Sequence, residues 1–221
     1  KSICFAAYLY TLVCYNLTND ITVGIVSNNR TILEDGDKLL GCFVSTIPFR
    51  FKLPENETWI NILNLVDEKL IKLQKYDKFP FTEIIKTINE PVTNANPIFD
   101  TKFNYIDFHV FDEIISSNSI DDNNELYNKG NFLNENTLCD FHIGKSNDKL
   151  TVLFKYSTSI LTQNMAERMV LRYFKVLSEI VNRQNEIINK KSFYLQEEKQ
   201  ELLHSFNNTK EYYHQNKTII D

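Results

Sequence analysis

The stretch LLGCFVSTIPFRFKL, Leu39 to Leu53, is too apolar for a surface loop and too interrupted for a strand buried on both faces. Such a strand reads as nearly unbroken valine, isoleucine and leucine. Here Gly41, Ser45, Thr46, Pro48 and Arg50 break the run at fixed places. A proline has no N–H to give to a ladder, so Pro48 demands a sheet edge or a crossover. The expected structure is a strand up to about Ser45, a break, and a second extended piece from Phe49 to Leu53.

Upstream, ITVGIVSNN (Ile21 to Asn29) reads as a strand, with Gly24 where something packs closely, running into a turn closed by Arg30. A polar loop from Glu34 to Lys38 follows, containing Gly36. Before this strand, Ser2 is placed to cap a helix in which Phe5, Tyr8, Leu9, Leu12 and Val13 recur at helical spacing. Downstream, Thr58 stands just ahead of a helix whose stripe is Ile60, Leu63, Val66, Leu70 and Leu73. Phe79-Pro80-Phe81 is a junction into a short helix that ends near Asn89-Glu90-Pro91.

From Phe99 the character changes. FDTKFNYIDFHVF alternates in the manner of a strand, and residues 116 to 136 form an acidic, asparagine-rich excursion that reads as a surface loop. DFHIGKSNDKLTVLFKYS has the form of a hairpin turning at Ser146-Asn147-Asp148, with Leu150, Val152 and Phe154 leading out on one face. The longest predicted helix runs from Thr162 to about Asn189. Met165, Ala166, Met169, Val170, Tyr173, Phe174, Leu177, Ile180, Val181, Ile187 and Ile188 give it one apolar side, for packing on a sheet. Arg172 falls on the polar side. Beyond Lys191, Leu195, Leu202, Leu203 and Phe206 suggest a short docked helix and then a polar tail that serves as a linker. Helix, strands, helices, strands is an α/β or α+β arrangement, a two-layer sandwich whose mixed β-sheet is packed by helices.

At 221 residues and 43% hydrophobic, the chain can build one substantial core or two small ones. A formal charge of -5, with both signs interspersed, offers no basic patch for a phosphate backbone, so nucleic acid is not an expected partner. No apolar run reaches the length needed to span a bilayer, so no membrane partner is expected either. Cys4, Cys14, Cys42 and Cys139 form no close pair and read as ordinary thiols in a reducing compartment, which places the chain in the cytoplasm. Asn-x-Ser/Thr triplets at Asn16, Asn29, Asn56, Asn207 and Asn216 are read as chance products of an asparagine-rich chain. The start at Lys1, without methionine or signal peptide, reads as a piece of something longer.

His109, His142, His204 and His214 make no metal-binding spacing, and no metal site is expected. His109 and His142, both in predicted strands, are more readily strand histidines than general bases. Five glycines leave no phosphate loop and no nucleophile elbow. Ser45 and Thr46 have no histidine near in sequence, so no catalytic residue is assigned. The residues alone give a soluble α/β domain with an interrupted strand.

The same interrupted strand resembles the Ile/Val-Gly-x-Phe-Val-Asn-Thr-x-x-x-Arg segment of the condensation domains of non-ribosomal peptide synthetases, with Gly41, Phe43, Thr46 and Arg50 in place and Ser45 for the asparagine. ITVGIVSNNR is similar to the family's Val-Gly-x-x-x-x-x-Arg strand and turn through Val23, Gly24 and Arg30. YDKFPFTEII resembles His-Gln-x-x-Pro-Phe-Glu, keeping Pro80 and Phe81 but with Tyr76 and Thr82 at the ends. NANPIFDTKFNY resembles Ser-Arg-Asn-Pro-Leu-Phe and its following strand. Asn96, Pro97, Phe99, Phe103, Asn104 and Tyr105 match, and Asn94-Ala95 replaces Ser-Arg. LTVLFKYSTSILTQNMAERM looks like the last strand and helix, and FNNTKEYYHQNKTI like the linker into a following adenylation domain.

In that family a condensation domain has two lobes, each like chloramphenicol acetyltransferase, meeting over a tunnel, and the first carries His-His-x-x-x-Asp-Gly. This chain contains no such sequence. The resemblance therefore implies the C-terminal lobe alone, residues 1–191, with 192–221 as the linker, inactive by itself and forming one wall of the tunnel.

Gly41, Phe43, Ser45 and Thr46 are then tunnel or crossover residues. Gly24, Arg30, Pro48, Arg50, Pro80, Phe81, Asn96, Pro97 and Asn104 are structural, with Arg50 an ion-pair partner. The implied partners are the N-terminal lobe, peptidyl carrier domains and an adenylation domain. No cofactor is bound directly; phosphopantetheine arms of the carriers bring the substrates. The alternatives are an epimerisation, heterocyclisation or terminal-condensation relative on the same fold, or a non-catalytic interaction domain. An isolated lobe is also expected to expose the face that meets its partner, and so to dimerise or dissolve poorly.

Overall fold

Helix α1 (Ser2–Tyr15) decides how the rest of the core is arranged, because it is buried on nearly every side from Cys4 to Val13. A helix apolar all round belongs inside a core, covered by more than one neighbour. In the computed structural model, which describes residues 1–16, 18–30, 34–88, 95–106, 136–146, 149–188 and 193–210, those neighbours are a five-stranded sheet and two further helices. Ser2 opens the helix rather than capping it. The N-cap is Lys1, without a side-chain cap hydrogen bond.

The strands are β1 (Asp20–Asn28), β2 (Val44–Lys52), β3 (Thr101–Ile106), β4 (Cys139–Ser146) and β5 (Lys149–Tyr156). They lie in the order β2-β1-β3-β4-β5, with β1/β2 and β4/β5 antiparallel and β1/β3 and β3/β4 parallel. The sheet is mixed, as the sequence pattern predicts. Between the strands run α2 (Trp59–Gln74) and α3 (Phe81–Ile88), and after β5 comes α4 (Gln163–Asn182).

Alternation sorts the sheet into two faces. On one, Phe5 of α1 packs on Phe49 and Phe103 with ring centroids 4.9 Å apart in each pair, and Tyr8 packs on Phe103 and Phe141, each at 5.2 Å. The Tyr8 hydroxyl and Thr101 Oγ1 are hydrogen-bonded at 2.9 Å within this layer, and burial pushes the Tyr8 phenol well above its ordinary pKa. The far side of α1 meets α2 through Tyr10 and Trp59, at 4.8 Å, and meets α4 through the Tyr173 hydroxyl, which donates to the Cys4 carbonyl at 3.4 Å. Tyr173 also packs on Phe141 of β4. So α4 lies against both α1 and the sheet.

Helix ends follow their signals where a side chain supplies them. Thr58 Oγ1 accepts from the Asn61 N–H at the start of α2, and Thr162 Oγ1 accepts from the Met165 N–H at the start of α4. The buried side of α2 is Trp59, Ile62, Leu63 and Val66. Two expectations for α4 fail. It stops at Asn182, and a turn closed by the Glu186 N–H donating to the Arg183 carbonyl leads to Ile187, which bridges Thr58. Arg172 is only 6% exposed, with its guanidinium 4.3 Å from the centre of the Tyr15 ring, while Met165, Phe174, Val181 and Ile187 are exposed.

The interrupted strand is one strand. β2 runs unbroken from Val44 to Lys52 against β1, with Pro48 opposite Gly24 in a register of nine pairs. The proline is tolerated because β2 is the outermost strand, where a missing N–H need not cost a ladder hydrogen bond. Residues Leu39 to Phe43, expected to begin the strand, lie outside it.

The chain divides into two compact units, Lys1–Ile188 and Asn189–Asp221. The second contains α5 (Gln196–Gln200) and a single π turn, Glu201–Ser205. The Glu198 carboxylate accepts from the Leu195 N–H at its start, and the Asn207 side chain donates to the Leu202 and Leu203 carbonyls at its end. The loop expected over residues 116–136 falls outside the described residues up to 135, as do His109, His214, the hairpin tip at 147–148 and the tail beyond 210. No helix among the described residues is long and apolar enough to cross a membrane.

Candidate functional site

The C-terminal end of β1 gathers polar side chains that the sequence reading did not connect. Asn29, one residue past the strand, donates through Nδ2 to Ser45 Oγ at 2.8 Å and to the Asp77 carbonyl at 2.7 Å. Its backbone N–H donates to the Phe43 carbonyl at 2.7 Å. Ser45 Oγ also donates to the Asp77 carbonyl, at 3.3 Å, and Ser27 Oγ donates to Asp77 Oδ2 at 2.8 Å. Three segments distant in sequence are thereby tied together: the end of β1, the start of β2 and the turn between α2 and α3. Asn29 and Asp77 were missed because such side-chain bonds leave no periodic trace in the sequence.

Arg30 fastens the neighbouring loop. Its Nη1 donates to the Gly36 carbonyl at 3.0 Å and to the Leu39 carbonyl at 2.9 Å, and its guanidinium lies over the Phe43 ring at 4.4 Å. A 3₁₀ turn, Gly36–Lys38, shapes the loop, and Lys38 pairs with Asp35 at 2.6 Å. Beyond it the apolar side chains face outward. Leu40 is 100% exposed, Leu39 and Val44 are exposed, and Tyr76 and Phe79 of the adjoining turn are exposed too. Gly41 and Cys42 are also exposed, and Phe43 is half-buried under Arg30.

Ser45 and Thr46 turn to opposite faces of the sheet. Ser45 joins the Asn29 cluster, whereas Thr46 packs beside Gly24, where a Cβ would lie 2.8 Å from Thr46 Cγ2 and 2.5 Å from the Phe99 ring. An Asx-type turn aims that ring: Asn96 Oδ1 accepts from the N–H groups of Ile98 and Phe99, at 3.0 and 3.1 Å, with Pro97 between them. Phe81 packs on Phe99 with ring centroids 5.6 Å apart from the start of α3, whose first turn hydrogen-bonds back to the Pro80 carbonyl. Gly24, Thr46, Phe81, Asn96 and Pro97 thus form one packing unit on the face away from α1. Asn104 lies elsewhere, on β3, with Nδ2 3.3 Å from His142 Nδ1. Beside them the buried Asp140 accepts from Thr137 Oγ1 at 2.9 Å and pairs with Lys102 at 3.4 Å.

Arg50 makes a bidentate pair with Asp20, Nε to Oδ1 at 3.0 Å and Nη2 to Oδ2 at 2.8 Å. These hydrogen bonds hold the Asp20 carboxyl below its usual pKa. Because the folded-state value is the lower one, the pair's contribution is complete above the unfolded-state pKa and is lost as pH falls through the folded-state one. Arg50→Gln is expected to move the Asp20 carboxyl titration, followed by NMR, back up toward its ordinary value. The melting temperature at pH 7 should change little, since the pair is solvent-exposed. An Asp20 titration unmoved by the substitution would show that the pair does not form in solution.

Among the described residues no group of three or more His, Cys, Asp or Glu side chains could hold a metal ion. Burial pushes the Cys139 thiol above its ordinary pKa, the direction opposite to that of an activated cysteine.

Comparison with known proteins gives this arrangement its relatives. The chain is 25% identical over 228 residues to bacitracin synthase 1 of Bacillus licheniformis, covering 99% of this chain and 4% of that one. It is 27% identical over 220 residues to gramicidin S synthase 2 of Brevibacillus brevis, covering 97% of this chain and 5% of that one. Among solved structures it superposes on the condensation domain from the monacolin K polyketide synthase MokA with a TM-score of 0.68 at 17% identity, over 85% of this chain and 42% of that chain. The X-domain in complex with OxyB from teicoplanin biosynthesis gives 0.69 at 14% identity, over 88% and 42%. The four-domain nonribosomal peptide synthetase AB3403 gives 0.68 at 20%, over 81% and 14%. The chain therefore spans a few per cent of the length of its curated relatives and about two-fifths of the single-domain structures. The condensation domain family model runs from residue 1 to residue 203, across both faces of the sheet and the whole Asn29–Arg30 cluster, and the protein belongs to that family.

Proposed function

We propose that this chain is the C-terminal lobe of a condensation domain in a nonribosomal peptide synthetase, and that it supplies one wall of the tunnel in which an amide bond is made. The observation that carries the reading is the pair of coverages: 85% of this chain matches 42% of a condensation domain, so more than half of that structure has no counterpart here. His-His-x-x-x-Asp-Gly, which the family places in the other lobe, does not occur among the 221 residues.

In the reaction, the amine of an acceptor aminoacyl thioester attacks the carbonyl of a donor acyl thioester. The C–N bond forms, the C–S bond breaks, and the donor thiol leaves with the proton that the amine gives up. Such a step is gained mostly by holding the two reactants in place. Both arrive as substrates on phosphopantetheine arms of carrier domains, and the product class is a peptide antibiotic or siderophore. Gly41, Phe43 and Ser45 are the residues offered to the tunnel or crossover. Thr46, turned to the Gly24 face, belongs to the same crossover. Residues 192–221 are read as the linker to an adenylation domain, a reading supported by the separate unit that begins at Asn189. Cytoplasmic residence fits four free thiols.

A second reading, a domain that binds a partner protein without chemistry, is favoured by the likeness to an X-domain solved in complex with OxyB. Ser45, Tyr76 and Ala95, standing where the family pattern has other residues, agree with it. The test is to supply the native polypeptide that contains this chain with carrier-bound aminoacyl and peptidyl thioesters and to read the carriers by mass spectrometry. An amide-linked product on the acceptor carrier is expected. A native polypeptide of only these 221 residues, or no amide product from a fully loaded system, would overturn the catalytic reading and leave the binding one.

A further inference from the structure

We infer that residues 34–43 form a strap fastened by Arg30, which opens and closes as a unit while β1 and β2 stay paired. Leu39, Leu40 and Cys42 at its tip are exposed, so little buried apolar surface holds the tip down. Among the described residues its hydrogen bonds to the rest of the protein include those from Arg30 to the Gly36 and Leu39 carbonyls and from the Asn29 N–H to the Phe43 carbonyl, with a weak, 3.9 Å contact from Cys42 Sγ to the Val44 carbonyl. Phe43 completes the closure beneath the guanidinium.

The sheet beneath has its own support. β1 and β2 share nine residue pairs, and Val23, Ile25, Ile47, Phe49 and Phe51 are buried. A segment with few apolar contacts and few bonds to its scaffold opens locally, at a free energy below that of global unfolding. Two bonds from one cation carry much of that difference here, so a single side chain sets how often the strap is open. Opening frees Phe43 from Arg30, and the Asn29–Ser45–Asp77 ties remain to hold β2 in place. This motion belongs to the chain whether or not amide formation is its reaction.

Hydrogen exchange read by mass spectrometry tests it. Arg30→Gln is expected to speed exchange in peptides covering 34–43 by about ten-fold or more, the scale of lost charge-assisted hydrogen bonds, with exchange in 21–27 and 46–52 unchanged. Phe43→Leu, which removes the ring and keeps the hydrogen bonds, should speed the same peptides by about two- to five-fold. Arg50→Gln, at the other end of β2, should leave them unchanged. Faster exchange in strap and strands together would show that the strap is no separate unit, and unchanged exchange in the strap would show that Arg30 does not fasten it. Should Arg30→Gln fail to fold, Phe43→Leu decides: a rise confined to 34–43 sustains the inference, and a rise throughout β1 and β2 overturns it.

Discussion

Phe141→Ala is expected to destabilise the protein by about 3–5 kcal/mol, the range for truncating a fully buried aromatic ring. Phe141 has no exposed surface and stands where three elements meet. Its ring contacts Tyr8 of α1 at 5.2 Å, Phe154 of β5 at 4.5 Å and Tyr173 of α4 at 5.6 Å. None of these can close the gap without giving up another contact. Tyr8 is held by Thr101, and Tyr173 by the Cys4 carbonyl. The cavity should stay largely open, which puts the loss toward the upper half of the range. Thermal unfolding followed by circular dichroism should show a fall of roughly 10 °C or more for a unit of this size. A fall of only a degree or two would mean that α4 does not pack on the sheet through Tyr173.

Gly24→Ala is the second, and its sign is the informative part. In an ordinary strand, replacing glycine by alanine stabilises by about 0.5–1 kcal/mol, because the unfolded chain loses freedom. Here the new Cβ would lie 2.5 and 2.7 Å from two carbons of the Phe99 ring and 2.8 Å from Thr46 Cγ2. Phe99 is itself buried, clamped by the Asn96 turn and by Phe81, so the ring has no easy retreat. Overpacking of this kind costs about 1–3 kcal/mol. The mechanism has its own check in a double-mutant cycle. If the clash with the ring is the cause, Gly24→Ala combined with Phe99→Ala should cost at least about 1 kcal/mol less than the sum of the two single changes. Urea unfolding of the four proteins gives the cycle, and additive costs would remove the explanation.

How far these features could be read in advance depends on the kind of order involved. Element identity was carried by period and punctuation: the alternation of β3 to β5, the threonine caps at Thr58 and Thr162, and the Phe79-Pro80-Phe81 junction are all visible in the sequence. The close approach at Gly24 was legible because glycine in a strand has few other reasons to be there. α1 was legible only in part. Its three- and four-residue spacing picks out Phe5, Tyr8 and Leu9, but Ala6, Ala7, Tyr10 and Thr11 are buried as well, and a helix covered on several sides has no single stripe to find. Pro48 was read as a break because a proline is incompatible with an interior ladder. Of the edge and the crossover that the proline allowed, the strand order shows the edge: among the described residues no strand lies beyond β2. Arg172 was assigned to solvent by its charge, yet it is buried, with its guanidinium against the ring of the exposed Tyr15. Asn29 and Asp77 mark the limit of sequence reading. Their roles arise from the meeting of residues 29, 45 and 77, which no local pattern announces.

Pro48 also bears on what the sheet can become. The outer rim of β2 has a missing N–H in its middle, and beyond it stand the exposed side chains of Arg50 and Lys52. A strand from a neighbouring molecule that tried to lengthen the sheet there would find a gap among the donors and then two charged side chains, Arg50 in its pair with Asp20 and Lys52, features of the kind that keep natural sheet edges from recruiting other chains. On this side the molecule is protected against runaway polymerisation into fibres, and the residue that looked like a flaw in the strand is what protects it.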